Sequence, residues 1–237
     1  MTSARDYMRG LQGGIDDVRW DSMALVITDL VRGFVDPDGV VVTRLLASRP
    51  ATAADSADSA ESGVSAVQSY LDRLASTVLP AVATLADRVR SKGGLVVHAR
   101  LGGDSLDPDF MPRSVRELAR LLWTRPSDAT VGAAPGVPYV DGDLVVPRVA
   151  VSAFTGTALD VQLRTRGVDA VISAGVFTDG AVGSTARDAA DLDYLAIVLS
   201  DGCAGLDSDL HDAALRNHAR LFGPVVTHSD MLVAVSA

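Results

Sequence analysis

The chain has 237 residues, 48% hydrophobic and 22% charged, an ordinary globular composition long enough to build a core without staples. A net charge of −9 argues against general nucleic-acid binding, which needs clustered Lys and Arg. The single cysteine, Cys203, excludes an internal disulfide and any multi-cysteine metal site.

From the start, Met1-Thr-Ser-Ala-Arg-Asp6 lacks the apolar centre of a signal peptide. No apolar run approaches the roughly 20 residues of a membrane span. The expectation is a cytoplasmic protein with neither membrane nor nucleic acid as partner. Apolar bursts then alternate with amphipathic stretches, the mark of parallel α/β architecture. Strands are expected at 24–28, 95–99, 144–147, 170–174, 195–199 and 225–227, all short runs that suit a sheet covered on both faces. Helices are expected at 66–91 with a kink at Pro80, and at 113–123, 157–166, 182–190 and 208–221. The spaced arginines from Arg113 to Arg125 read as a solvated helix face. Gly93-Gly94, Gly167 and Gly223 each follow a helix and precede a strand, as C-terminal caps do.

These elements predict one α/β domain over residues 1–237. It is a three-layer α/β/α sandwich around a mostly parallel, about six-stranded sheet. Residues 1–20 form an N-terminal arm in this reading. Residues 51–65, ATAADSADSAESGVS, form a low-complexity solvated insertion. Ligands of such sheets bind beyond the carboxyl ends of the strands.

Three segments carry a resemblance. The first is Ala24-Leu-Val-Ile-Thr-Asp29-Leu-Val-Arg-Gly-Phe34, continued by Val35-Asp-Pro-Asp-Gly39. The second is Val146-Pro-Arg148-Val-Ala-Val-Ser-Ala-Phe154, and the third Gly175-Val-Phe177-Thr-Asp-Gly180-Ala181-Val-Gly-Ser-Thr-Ala-Arg-Asp-Ala189. Together, in this order and spacing, they resemble the isochorismatase-like, or cysteine hydrolase, superfamily. The look is nearest to its N-carbamoylsarcosine amidohydrolase branch. That resemblance implies a catalytic Asp, Lys and Cys set, of which Asp29 matches the Asp. Arg148 stands where the family usually has Lys, and Ala181 where it usually has the nucleophilic Cys. It also implies a homo-oligomer, for which Trp123 is a candidate interface anchor.

Chemically, the thiolate of such a set attacks a carbonyl while the Asp moves protons and the cation supports charge. Ala181 can form no acyl-enzyme, and Arg148 stays protonated, so it can orient a carboxylate but not act as a base. Cys203 reads as a packed core thiol. Asp29 reads either as an acid or base at a strand end or as a structural ion pair with Arg148. The backbone N–H groups of Gly180 and Ala181, at a helix N-terminus, are candidate oxyanion donors. Thr178 or Asp179 caps that helix in the same reading. Phe34, Phe177 and Arg100 are further candidates for contact with a small-molecule substrate.

His98 faces the same edge. His211 and His218 share a helix face, and His228 reads as a loop residue. No metal and no cofactor are expected.

Three functions stay open. One is a C–N hydrolase whose cysteine was lost in evolution or replaced by substitution. Another is a nucleophile-free enzyme that protonates a vinyl ether with Asp29 while Arg148 grips a substrate carboxylate. The third is a non-catalytic binding protein.

Overall fold

The computed structural model describes residues 14–15, 18–47, 57–102, 107–123 and 132–235. Six strands form one sheet: β1 (Met23–Thr28), β2 (Leu95–Leu101), β3 (Leu144–Arg148), β4 (Ala170–Val176), β5 (Leu195–Ala204) and β6 (Val225–Val226). Their order is β3-β2-β1-β4-β5-β6, and every pair is parallel. The chain therefore builds outward from β1 to β3, then returns to the other side of β1 to lay down β4. That reversal puts the topological switch point between β1 and β4, the crevice where open α/β sheets hold their ligands.

All six residues of β1 are buried. Leu25 and Ile27 join one apolar cluster while Ala24 and Val26 join another, because successive side chains leave opposite faces. This is why the strand reads as a continuous apolar run rather than an alternating one. β3 lies at the sheet edge, where Pro147 withholds an N–H at little cost.

The helices among the described residues are α1 (Arg32–Val35), α2 (Val40–Ala47), α3 (Ala57–Arg73), α4 (Leu79–Ser91), α5 (Arg113–Trp123), α6 (Leu159–Thr165), α7 (Gly183–Asp191), α8 (Ser208–Leu221) and α9 (His228–Ala234). Leu74–Val78 is a π turn that joins α3 to α4. Pro80 has no N–H for the preceding turn, and the widened turn ahead of it absorbs the misfit where a kink was expected. This helical run begins at Ala57, so residues 57–65 of the expected insertion are its first turns; their Ala and Glu content favours helix. Residues 51–56 and most of the expected arm lie outside the described residues, as does the side chain of Trp123. Trp20 is instead part of the fold: it is buried, and its indole donates to the Val235 carbonyl.

The cap glycines divide by cause. Gly93 and Gly167 have positive φ, as a left-handed cap requires. Gly223 serves close approach, since a Cβ there would meet Ala196 O at 1.9 Å. His228 opens α9 rather than lying in a loop. A capping box between Thr227 and Asp230 starts that helix.

His98, His211 and His218 are buried, and burial is the main cause holding each below the ordinary imidazole value of 6.5. The unfolded chain therefore binds more protons than the folded one as pH falls through about 6.5, and stability must fall with it. Thermal unfolding followed between about pH 7.5 and 5.5 is expected to show a declining midpoint. His218→Gln keeps a donor for Ala196 O, which His218 Nε2 meets at 2.9 Å, but cannot take up a proton. It is expected to flatten part of that decline.

Candidate active site

Asp29 follows the last residue of β1 and has a φ of 52°, a left-handed turn that Asp tolerates better than most residues. The turn aims its carboxylate sideways across the end of β2. One oxygen, Oδ1, accepts the Leu101 N–H at 2.7 Å. The other, Oδ2, accepts from Arg148 Nη2 in a close ion pair. Arg148 ends β3 beside Leu101 and reaches back over the edge. Its Nη1 donates to the carbonyls of Ala150 at 2.6 Å and Val151 at 2.5 Å. Both side chains are almost dry, 5% and 2% exposed. Burial pushes the Asp29 carboxyl above its ordinary range, and the Arg148 guanidinium and Leu101 N–H pull against it.

Both terminal nitrogens of Arg148 are thus committed. A substrate carboxylate would meet this guanidinium through the hydrogens these bonds leave over, on Nη2 and Nε. Arg148 Nε alone is buried without a protein partner.

The turn carrying Ala181 leaves β4, the strand next to β1. At the junction Gly175 has φ of 114°, and a Cβ there would stand 2.0 Å from Thr28 O. Only glycine lets the two strands come this close just below Asp29. The Val176–Phe177 peptide that follows is cis. Thr178–Val182 is then a π turn, irregular at Gly180 (φ −108°, ψ −106°), and it leads into α7.

Here two expectations change. Neither Thr178 nor Asp179 caps the helix with its side chain. Gly180 N–H donates to Phe177 O at 3.0 Å, which occupies it within the turn rather than offering it outward. Ala181 is buried at the turn. The loop after Arg148 docks beside it, with Ala153 N donating to Thr185 Oγ1 at 3.0 Å.

Phe34 sits in the core, its ring 5.8 Å edge-on from Phe177, because α1 turns its apolar face inward. Its expected contact with substrate gives way to packing. Phe177 is only partly buried, and it also meets the Tyr70 ring at 5.7 Å. Arg100 does line the narrow gap against Asp29, together with His98 and Tyr139, but that gap has no room for a water molecule. Ala181 is not among the residues lining that gap. His98 is tied there by Asp143 at 3.0 Å, which Arg90 also holds at 2.8 Å.

Cys203 is fully buried, and burial pushes its thiol up to about 11. Among the described residues no group of three or more His, Cys, Asp or Glu could hold a metal ion. None of their helices is long and apolar enough to cross a membrane.

Two features had no counterpart in the sequence reading. One is a groove of about 710 Å3 between α3 and the start of α8, with Tyr70, Arg73, Asp201, Leu206, His211 and Leu215 among its walls. The other is a hydrogen-bonded chain joining Arg73, His211 and Thr178.

Comparison with known proteins agrees with this architecture. The Isochorismatase domain family matches residues 23–230. An uncharacterized isochorismatase family protein of Bacillus subtilis, YwoC, is 32% identical over 143 residues, 59% of this chain and 73% of that protein. The ureidoacrylate amidohydrolase RutB of Rhizobium rhizogenes is 35% identical over 96 residues, 40% of this chain and 39% of that protein. In structure, a cysteine hydrolase from Pseudomonas syringae superposes with a TM-score of 0.72 at 21% identity, covering 92% of this chain and 94% of the other. The N-carbamoylsarcosine amidase of Thermoplasma acidophilum gives 0.60 at 25% identity, covering 88% and 97%. It is one neighbour among several.

Removing the buried cation is expected to be costly and pH-dependent. Arg148→Met strands the Asp29 carboxylate and should destabilise the fold by about 3–5 kcal/mol at neutral pH. Without Arg148 the folded-state value of Asp29 rises further above 3.8, so the folded chain holds the extra proton and loses stability as pH rises. Urea titrations should therefore show the deficit shrinking towards about pH 5.

Proposed function

Because the chain belongs to the isochorismatase family, we propose that its Asp29–Arg148 edge receives a small amide or carbamoyl group, with Ala181 in the place of the nucleophile. The observation that carries this reading is the dry Asp29–Arg148 pair beside the switch point, one strand from the turn bearing Ala181. One relative is an amidohydrolase and one structural neighbour an amidase, which favours C–N chemistry over vinyl-ether chemistry.

In this proposal Asp29 is the proton carrier. Burial raises its carboxyl above the ordinary range, which favours its holding a proton more than an exposed carboxylate would. Arg148 fixes the carboxylate and supplies positive charge, but it moves no proton. Ala181 offers a methyl group where covalent catalysis needs a thiolate, so the chain as it stands forms no acyl intermediate. Cys203 does not substitute, being buried and protonated.

The test restores the missing group. In Ala181→Cys the new thiol is expected to react with iodoacetamide at least about tenfold faster than Cys203, through greater access and nearby positive charge. Weak hydrolysis of small carbamoyl or amide substrates should accompany it. Adding Arg148→Lys should raise that activity. A thiol that labels no faster than Cys203, together with an inert double variant, would reject the proposal.

A further inference from the structure

His211 is buried on α8 and takes no part in the Asp29–Arg148 pair. Its Nδ1 lies 2.7 Å from Thr178 Oγ1, and its Nε2 lies 3.2 Å from Arg73 Nη2. Arg73 is itself anchored, donating to Ser200 O at 2.9 Å and Cys203 O at 3.1 Å at the end of β5.

Donor and acceptor chemistry fixes the direction of this chain. A guanidinium can only donate, so His211 Nε2 must accept. A neutral imidazole that accepts at Nε2 carries its hydrogen at Nδ1, and Nδ1–H therefore donates to the Thr178 hydroxyl. Burial and the facing Arg73 charge both oppose protonation of the ring, against weaker pulls from Asp212 and Asp179.

Thr178 begins the π turn that holds Ala181, and that turn is closed by the Gly180 and Val182 N–H groups donating to Phe177 O. Its helical geometry is broken at Gly180, and no side chain caps it. The contact from His211 ties its first residue to α8, and through Arg73 to α3 and the end of β5.

We propose that His211, locked as the neutral Nδ1–H form, is the positioning residue for position 181. It holds Thr178, and through Thr178 it sets where the 181 side chain stands beside the Asp29 edge. The assignment rests on the reading of position 181 as the nucleophile's place only in what that side chain is for; the lock itself is independent of it.

Two measurements test it on the full chain. In the unmodified protein, 15N NMR of His211 should show a pyrrole-type nitrogen at Nδ1 and a pyridine-type nitrogen at Nε2 at neutral pH. The reverse tautomer or a protonated ring would overturn the lock. In the Ala181→Cys background, His211→Ala should slow alkylation by iodoacetamide about tenfold, the scale of one lost hydrogen bond.

His211→Asn can place an amide N–H near the position of Nδ1 and should return the rate to within about threefold, whereas His211→Gln, which reaches the position of Nε2, should not. Equal rates in all four proteins, or equal rescue by Gln and Asn, would overturn the positioning role. If His211→Ala does not fold, the contrast between Asn and Gln still decides. If the 181 thiol labels no faster than Cys203 even with His211 intact, the nucleophile-place reading fails, and the NMR result still decides the lock.

Discussion

The buried pair of Asp29 and Arg148 organises the edge of this sheet. A carboxylate out of water is tolerable only if its lone pairs are met, and here a backbone N–H and a guanidinium meet them. The guanidinium in turn holds the carbonyls of Ala150 and Val151 and so shapes the loop after β3. That loop then docks on Thr185, one turn beyond Ala181. Three strand ends and the start of α7 are thereby placed by one ion pair and its hydrogen bonds.

Arg148 also shows why Lys and Arg are not interchangeable at such a point. A planar fork satisfies the carboxylate and two carbonyls from fixed directions, whereas an ammonium on a shorter stem offers a single point charge. The site is thus a rigid structural clamp.

Much of this was legible in the sequence. The runs at 24–28 and 170–174 are apolar throughout because both faces of those strands are covered, and their order gives a parallel sheet. Asp29 was legible because an acidic residue closing such a run is conspicuous, and its pairing with Arg148 was one of the two readings open. The segment 40–47 hid its helix, since Val-Val-Val-Thr carries strand propensity that the packing of α2 overrides. The capping box at Thr227 was a signal present and not used. The commitment of Arg148 to Ala150 and Val151, and of Thr178 to His211, was not legible. Both depend on where long side chains point after folding, and no spacing rule encodes that.

β1 sits in the middle of the sheet, with Gly175 admitting Thr28 at closer range than any other residue would allow. Central strands of this kind exchange their amide hydrogens only when the whole molecule opens. Asp29 begins one residue past that strand, and its own N–H is bonded to Ala99 O at 3.0 Å on β2. The carboxylate is therefore mounted on an interior strand of the sheet. Local fraying of the surrounding loops can alter what reaches it without moving it, so access and orientation at this edge are separable quantities.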